Sequence, residues 1–398
     1  MRVLPIVAAA SSLGLCALAR AVYAPIPEFE QGKDFTLTIQ SGISYNSNIF
    51  GAASDAIGSY DFMVSPKLAY NVSVTNQTFL SASYNPSLDY FDNRPGTKTV
   101  YSQALDARIA HSFSQTSVLD VTDRFTYSQN PEALLSGLPV NVDQTQYNNQ
   151  FDGRFSFAPT EQLGMVLKAR SVYYDYTNPL LSSLLNRFEN LYGLEFDYTI
   201  DPRLKFAGEY RHQDVDYSNA PSQNNKHSDF LMAGFDYSVG PQLTSSIRLG
   251  GEYRQREGLG SETTPYVELS AKYDYAKGSF VSIGYTYSLE ETSNPALFSD
   301  EKLSRIFANV QHSFSPLIIG SASVDYEPAA LNGRPAYNGN PAQADINEDS
   351  THAGVAATYL PAKNWSVTAS YDYDFVDSGI SNRGLNRSRY GISATVEF

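Results

Sequence analysis

The sequence predicts an all-β fold: a closed, antiparallel, up-and-down transmembrane β-barrel of about 18 strands over residues 34–398. Three observations predict it. Apolar and polar residues alternate with period two from Asp34 to the last residue. No apolar run beyond the N-terminus is long enough for a spanning helix. Only 18% of residues are charged, while 29 are tyrosine and 22 phenylalanine. Tyrosine suits a boundary where one end of the side chain is apolar and the other wet. A membrane protein without spanning helices must close its sheet, because lipid cannot satisfy an open edge.

The N-terminus comes first. Arg2 supplies a positive start, Val3 to Leu18 is an uncharged apolar stretch, and two small-x-small sites follow at Ala19-Arg20-Ala21 and Val22-Tyr23-Ala24. This is the pattern of a cleaved secretory signal over residues 1–21, with cleavage after Ala21 preferred over Ala24 because Pro25 would sit just beyond the second cut. Cys16, the only cysteine, falls inside that signal, and the large Leu15 before it makes a poor lipidation site. Residues 22–33 then form a short segment ahead of the barrel.

Eighteen alternating sets follow in order. The first six centre on Phe35, Leu37, Ile39, Ile43 and Tyr45; on Phe62 to Val74; on Leu80 to Tyr90; on Leu105 to Phe113; on Leu119 to Tyr127; and on Phe151 to Phe157. The next six run from Leu163 to Tyr173, Leu194 to Ile200, Leu204 to Tyr210, Leu231 to Val239, Leu243 to Arg256 and Val267 to Tyr275. The last six run from Val281 to Tyr287, Ile306 to Phe314, Ile318 to Tyr326, Val355 to Tyr359, Trp365 to Phe375 and Tyr390 to Phe398. In the eleventh, Leu243, Ile247, Leu249, Gly251 and Tyr253 share one face and Thr244, Arg248, Glu252, Arg254 and Arg256 the other. That polar set is too charged for a solvent rim repeated on every strand, so the inverted arrangement fits: apolar to lipid, polar to a lumen. Aromatics cluster at the ends of the sets, as two girdles around a lipid band require. A soluble sandwich or solenoid explains the alternation but not that placement.

The connections alternate in length. Short turns include Phe113 to Thr116, Ile200 to Arg203, Val239 to Gln242, Tyr275 to Gly278 and Leu360 to Lys363. Long ones run from Asn46 to Ser59, Gln129 to Thr145, Asn178 to Arg187, Ser218 to Lys226, Glu291 to Lys302, Glu327 to Ser350 and Asp377 to Arg387. Several long loops open with Asn-Pro and an apolar pair, as at Asn130-Pro131, Asn178-Pro179 and Asn294-Pro295, which predicts a capped helical turn. Packing of these turns at the barrel mouth is the preferred reading over an inward-folded constriction.

By parity Arg108, Arg124, Arg154, Lys168, Arg170, Arg211 and Arg248 line the lumen from the earlier strands, and Asp274, Glu290, Asp325, Glu327, Asp372 and Asp374 from the later ones. Two readings compete: opposed basic and acidic walls with a transverse field, or local pairing, which Glu195, Asp197, Glu209 and Glu252 among the arginines favour. His212 and Asp214 share the outward face of Phe206 and Tyr210, where a solvated rim pair is the expectation. His352 faces inward with no partner at a recognisable spacing. No serine stands in a nucleophile elbow, and metal-binding or phosphate-cradling spacings are missing, so neither enzyme activity, nor cofactor, nor metal is expected. A formal charge of -14 argues against nucleic acid as a partner.

With these features in hand the chain resembles an outer-membrane porin of Gram-negative type. The closing strand, with Tyr390, Ile392, Ala394, Val396 and a terminal Phe398 at every second position, resembles the signal by which the barrel-assembly machinery recognises its clients. The segment from Gly42 to Phe50 is similar to the opening strand of uncharacterised β-barrel porins, some encoded near exopolysaccharide export systems. The resemblance implies residence in outer-membrane lipid with the long loops extracellular, and passive diffusion of ions or small hydrophilic solutes. Its alternatives are a barrel attached to exopolysaccharide secretion and a non-conducting structural or adhesive surface barrel. Porins often form trimers, which leaves a homo-oligomer open, although no interface strip stands out.

Overall fold

The computed structural model of the chain describes residues 34–129, 143–219, 224–240, 242–336 and 341–398. The predicted signal, the segment to residue 33 and the Asn130-Pro131 turn lie outside the described residues. Eighteen strands follow one another: β1 (Phe35–Asn46), β2 (Ser59–Thr75), β3 (Thr78–Phe91), β4 (Thr99–Ser114), β5 (Ser117–Ser128), β6 (Gln146–Phe157), β7 (Leu163–Tyr176), β8 (Arg187–Asp201) and β9 (Leu204–Tyr217). The second half comprises β10 (Lys226–Val239), β11 (Leu243–Arg256), β12 (Gly260–Ala276), β13 (Ser279–Glu290), β14 (Phe298–Ser315), β15 (Ile318–Gly333), β16 (Ile346–Ala362), β17 (Trp365–Ser378) and β18 (Leu385–Glu397). Among the described residues one helix, α1 (Pro179–Leu185), interrupts them between β7 and β8.

Each strand pairs antiparallel with its neighbours in sequence, and β1 pairs with β18, so the sheet is a closed barrel. At the seam Thr38 lies opposite Glu397 and Asn46 opposite Arg389, and the Phe398 N–H donates to the Leu37 carbonyl at 2.8 Å. Closure leaves no free sheet edge.

Burial is the reverse of a soluble protein's. Leu231, Leu249, Tyr253, Ile283, Val355 and Ile392 are exposed on the outer face, whereas Arg248, Glu252, Arg254 and Arg256 on the inner face of β11 are buried. An apolar exterior repeated around the whole barrel is a lipid-facing surface. Aromatic residues band both ends of it. At the long-loop end Tyr60, Tyr45, Tyr390 and Tyr371 stand side by side on four neighbouring strands. At the short-turn end Phe113 meets Phe155, which stacks on Phe157, and Tyr275 stacks on His312, which meets Phe314 edge-on.

The short turns are as tight as predicted, and Gly240 and Gly278 take positive φ of 60° and 73° there. On the other side the strands run further than the composition suggested. β15 continues to Gly333 and β16 begins at Ile346, so the expected loop from Glu327 to Ser350 shrinks to 334–345. The link from β11 to β12 is only 257–259, with Gly258 and Gly260 at positive φ. Ladder hydrogen bonds and cross-strand contacts outweigh the weak turn preference of Pro, Asn and Gly in these stretches.

Leu249 sits midway along β11 on the lipid face. Leu249→Arg is expected to cost about 2–4 kcal/mol of stability in vesicles, the scale for a cation at the bilayer midplane, measured by reversible unfolding in urea.

Candidate functional site

The lumen is the candidate site, and its wall is uneven. On β9 to β12 the inward side chains are buried: Glu209, Arg211, Val215, Lys226, Ser228, Phe230, Met232, Glu252, Arg254, Arg256 and Tyr266. On β2 to β5 they are more open. Lys67 is exposed, and the side chains of Asp106 and Arg124 are 35% and 65% exposed. A side chain that points inward and still meets solvent does so from a water-filled lumen.

Six of the seven predicted pore-lining cations are held by carboxylates close by. Arg108 forks onto Asp120 at 2.8 and 2.5 Å, Arg124 bonds Asp106, and Arg170 reaches Asp152 at 2.6 Å. Lys168 lies 2.8 Å from both Glu195 and Glu209, and Glu209 also takes two bonds from Arg211. Arg248 forks onto Asp236, and the Arg154 Nε donates to Ser156. Asp274, Asp325 and Asp374 of the acidic half are paired as well. Asp325 takes a fork from Arg305, Asp274 lies 2.9 Å from Lys272, and Asp374 meets Arg387, Arg389 and His352. Asp372 stands opposite Arg389 across β17 and β18. Geometry thus brings opposite charges together locally and does not gather them into opposed walls. The reason is energetic: a charge facing a covered, low-dielectric wall is costly unless paired and hydrogen-bonded.

Sequence reasoning missed the strongest of these networks. The loop 291–297 between β13 and β14 brings Glu291 to inward residues of three strands: Tyr217 of β9 donates to it at 2.7 Å, and Lys226 of β10 and Arg256 of β11 approach to 3.0 and 2.9 Å. Arg256 also pairs with Asp300, which is fully buried and holds Arg254 at 2.6 Å. The Asn294 carbonyl accepts from Leu297 and Phe298, so the predicted turn exists. Its loop, however, folds into the mouth instead of packing only at the rim, because Glu291 finds three donors inside. Burial alone would push the Glu291 carboxyl up, but Arg256 and Lys226, with the Tyr217 hydroxyl, hold it well below the usual carboxylate range. The Arg334 guanidinium, buried at the same mouth with Arg256 nearby, is pushed down. The Asn178-Pro179 prediction holds: Asn178 caps α1 by accepting from Leu180 and Leu181, and Leu181 and Leu185 pack on Tyr176. No local pattern marks Glu291, since its partners are 74, 65 and 35 residues away by number.

His352 lies opposite Asp374 across β16 and β17, a pairing that spacing along one strand cannot reveal. His212 and Asp214 do lie on the outer face as expected, but with His227 and Asp229 of β10 directly opposite.

No protein-family model matches the chain, and no curated relative aligns with it. Among solved structures, a BenF-like porin from Pseudomonas fluorescens Pf-5 superposes with a TM-score of 0.51 at 11% identity, covering 92% of this chain and 99% of that one. OpdK of Pseudomonas aeruginosa, solved with vanillate, gives 0.47 at 11% identity over 92% and 99%. The FrpB iron transporter of Neisseria meningitidis gives 0.48 at 10% over 87% of this chain and 62% of that one. The likeness to the BenF-like porin shows that the chain has the fold of an outer-membrane porin barrel.

Replacing Glu291 by Gln removes one partner of a buried pair and is expected to cost about 3–5 kcal/mol. The sign of the pH dependence follows from the lowered folded value. The difference in unfolding free energy between the two proteins should be full above the ordinary carboxylate value of 4.5. It should shrink only as pH falls below that value. Unfolding of both proteins across a pH series checks this.

Proposed function

We propose that the chain is an outer-membrane channel for passive diffusion of ions or small hydrophilic solutes, with its long loops extracellular. The observation that carries this reading is the inward yet solvated Arg124, 65% exposed inside a closed barrel whose exterior is apolar. Water reaches the β2–β5 wall, and the β9–β12 wall is sealed by its own charge network and by loop 291–297. The passage accordingly follows the β2–β5 side and is narrower than the strand number alone allows. Solutes are sorted by size at the mouth and by charge where lumen side chains meet water. The likeness to the BenF-like porin supports the barrel and its membrane, and the charge arrangement supports transport over catalysis. Lipid on the outside and the barrel-assembly machinery, addressed through the Tyr390–Phe398 strand, are the partners this reading requires.

Liposome swelling tests the proposal. Reconstituted protein should admit ions and the smallest sugars and exclude larger ones; no swelling with any solute would favour a non-conducting surface barrel. Selectivity gives a second test. Arg124→Ala should move the reversal potential in a salt gradient towards cation preference. Arg211→Ala, in the sealed wall, should leave it unchanged while lowering the unfolding midpoint.

A further inference from the structure

On the outside of the barrel, at the long-loop end, β9 and β10 bring four polar side chains together. The register sets His212 opposite Asp229 and, one pair nearer the loop, Asp214 opposite His227. Tyr192 of β8, Tyr210 of β9 and Tyr253 of β11 are exposed on the same face, the first opposite His212 and the last opposite Asp229. The cluster therefore sits at the aromatic band, where lipid gives way to headgroups and water.

His212, Asp214 and His227 each offer a ligand atom, and these atoms lie within 4.8 Å of one another. The His212 Nε2 is 3.3 Å from the Asp214 Oδ1. That is about the edge of a tetrahedron around an ion with bonds of ~2.0–2.1 Å. The other ring nitrogen is already engaged. His212 Nδ1 lies 2.8 Å from Asp229, which also accepts from the Tyr210 hydroxyl at 2.7 Å. Donation from Nδ1–H to a carboxylate fixes the tautomer that presents Nε2 as a lone pair, the usual support of a metal-bound imidazole. His227 Nδ1 bonds Asp214, and the ring is 60% exposed, so its proton can pass to Nε2 in water and free Nδ1 for a metal. Simple ion pairing between protonated histidines and carboxylates would need none of this ordering: Asp229 and Tyr210 build a second layer behind one nitrogen.

We propose that His212, Asp214 and His227 bind a divalent transition-metal ion of the Zn2+ class, with Asp229 as the positioning residue and a fourth position open to solvent. Two imidazoles with one carboxylate suit zinc, copper or nickel; calcium and magnesium prefer oxygen ligands alone. Bound metal bridges β9 to β10 at the rim of the lipid band.

The test uses the refolded full-length mature chain without a histidine tag, in detergent, and Zn2+ as the probe. Competition with a chromogenic chelator should show one ion per chain. His212→Ala and His227→Ala should weaken binding at least tenfold, and Asp229→Asn roughly tenfold, the scale for loss of such support. His111→Ala and His312→Ala, outward histidines whose ring partners are Thr78 and Tyr275, should change nothing. Retained heat-modifiable mobility on gels confirms that each variant has folded. X-ray absorption at the zinc edge of the wild-type protein, which needs no variant, should count two imidazoles per ion. Binding by the wild type no tighter than by His212→Ala, or fewer than two imidazoles at the edge, overturns the proposal.

Discussion

A hydrocarbon layer offers no hydrogen-bond partner to a peptide group, and the rest of the architecture follows from that. Each unsatisfied N–H or C=O in lipid costs several kcal/mol, so a sheet that enters a membrane must close on itself. Here the closing pair is β1 with β18, in register from Thr38 opposite Glu397 to Asn46 opposite Arg389. Once the sheet is closed, period-two alternation admits one assignment: every second side chain meets lipid and must be apolar, and its neighbours turn inward whatever their charge. The interior is polar because the exterior cannot be.

An inward charge still has to be accommodated, and the barrel does so in two ways. On β2 to β5 it leaves side chains such as Lys67 and Arg124 in contact with lumen water. On β7 and on β9 to β12 it covers them and satisfies them with nearby carboxylates: Lys168 and Arg211 on Glu209, Arg254 and Arg256 on Asp300, Lys226 and Arg256 on Glu291. Covered pairs of this kind are strongly destabilised when one member is lost, and the fixed geometry of the arginine fork adds direction to the contact. The sealed wall therefore acts as scaffold, and the open wall is where charged side chains stay exposed to the lumen.

The fold was legible because period two is a local signal. Each of the 18 sets was readable from a handful of alternating residues, from three as at Val355, Ala357 and Tyr359 to six as at Trp365 to Phe375. Loop lengths were less legible. Gly333 and Ile346 belong to strands despite Pro- and Asn-rich surroundings, because pairing with the neighbouring strand overrides turn preference there. The site was legible in direction only. Parity puts Arg124 and Arg211 on the same side of the sheet, but which of them meets solvent depends on what covers it. Cover comes from residues far off in sequence, such as Glu291 reaching Tyr217. The histidine–aspartate group on the outer face was half visible as His212 with Asp214. Its other half lies across the strand pair, where only register can show it.

Spin-label accessibility in reconstituted vesicles measures the central claim directly: greasy side chains toward lipid, charged ones around water. Labels on single cysteines at positions 247, 249 and 253 should collide with oxygen, which concentrates in lipid. A label at position 124 should collide instead with a water-soluble nickel chelate. An alternating pattern of this kind is the predicted result. Nickel access at 249 equal to that at 124, or no access to the chelate at 124, would contradict the account of an apolar exterior around a hydrated lumen.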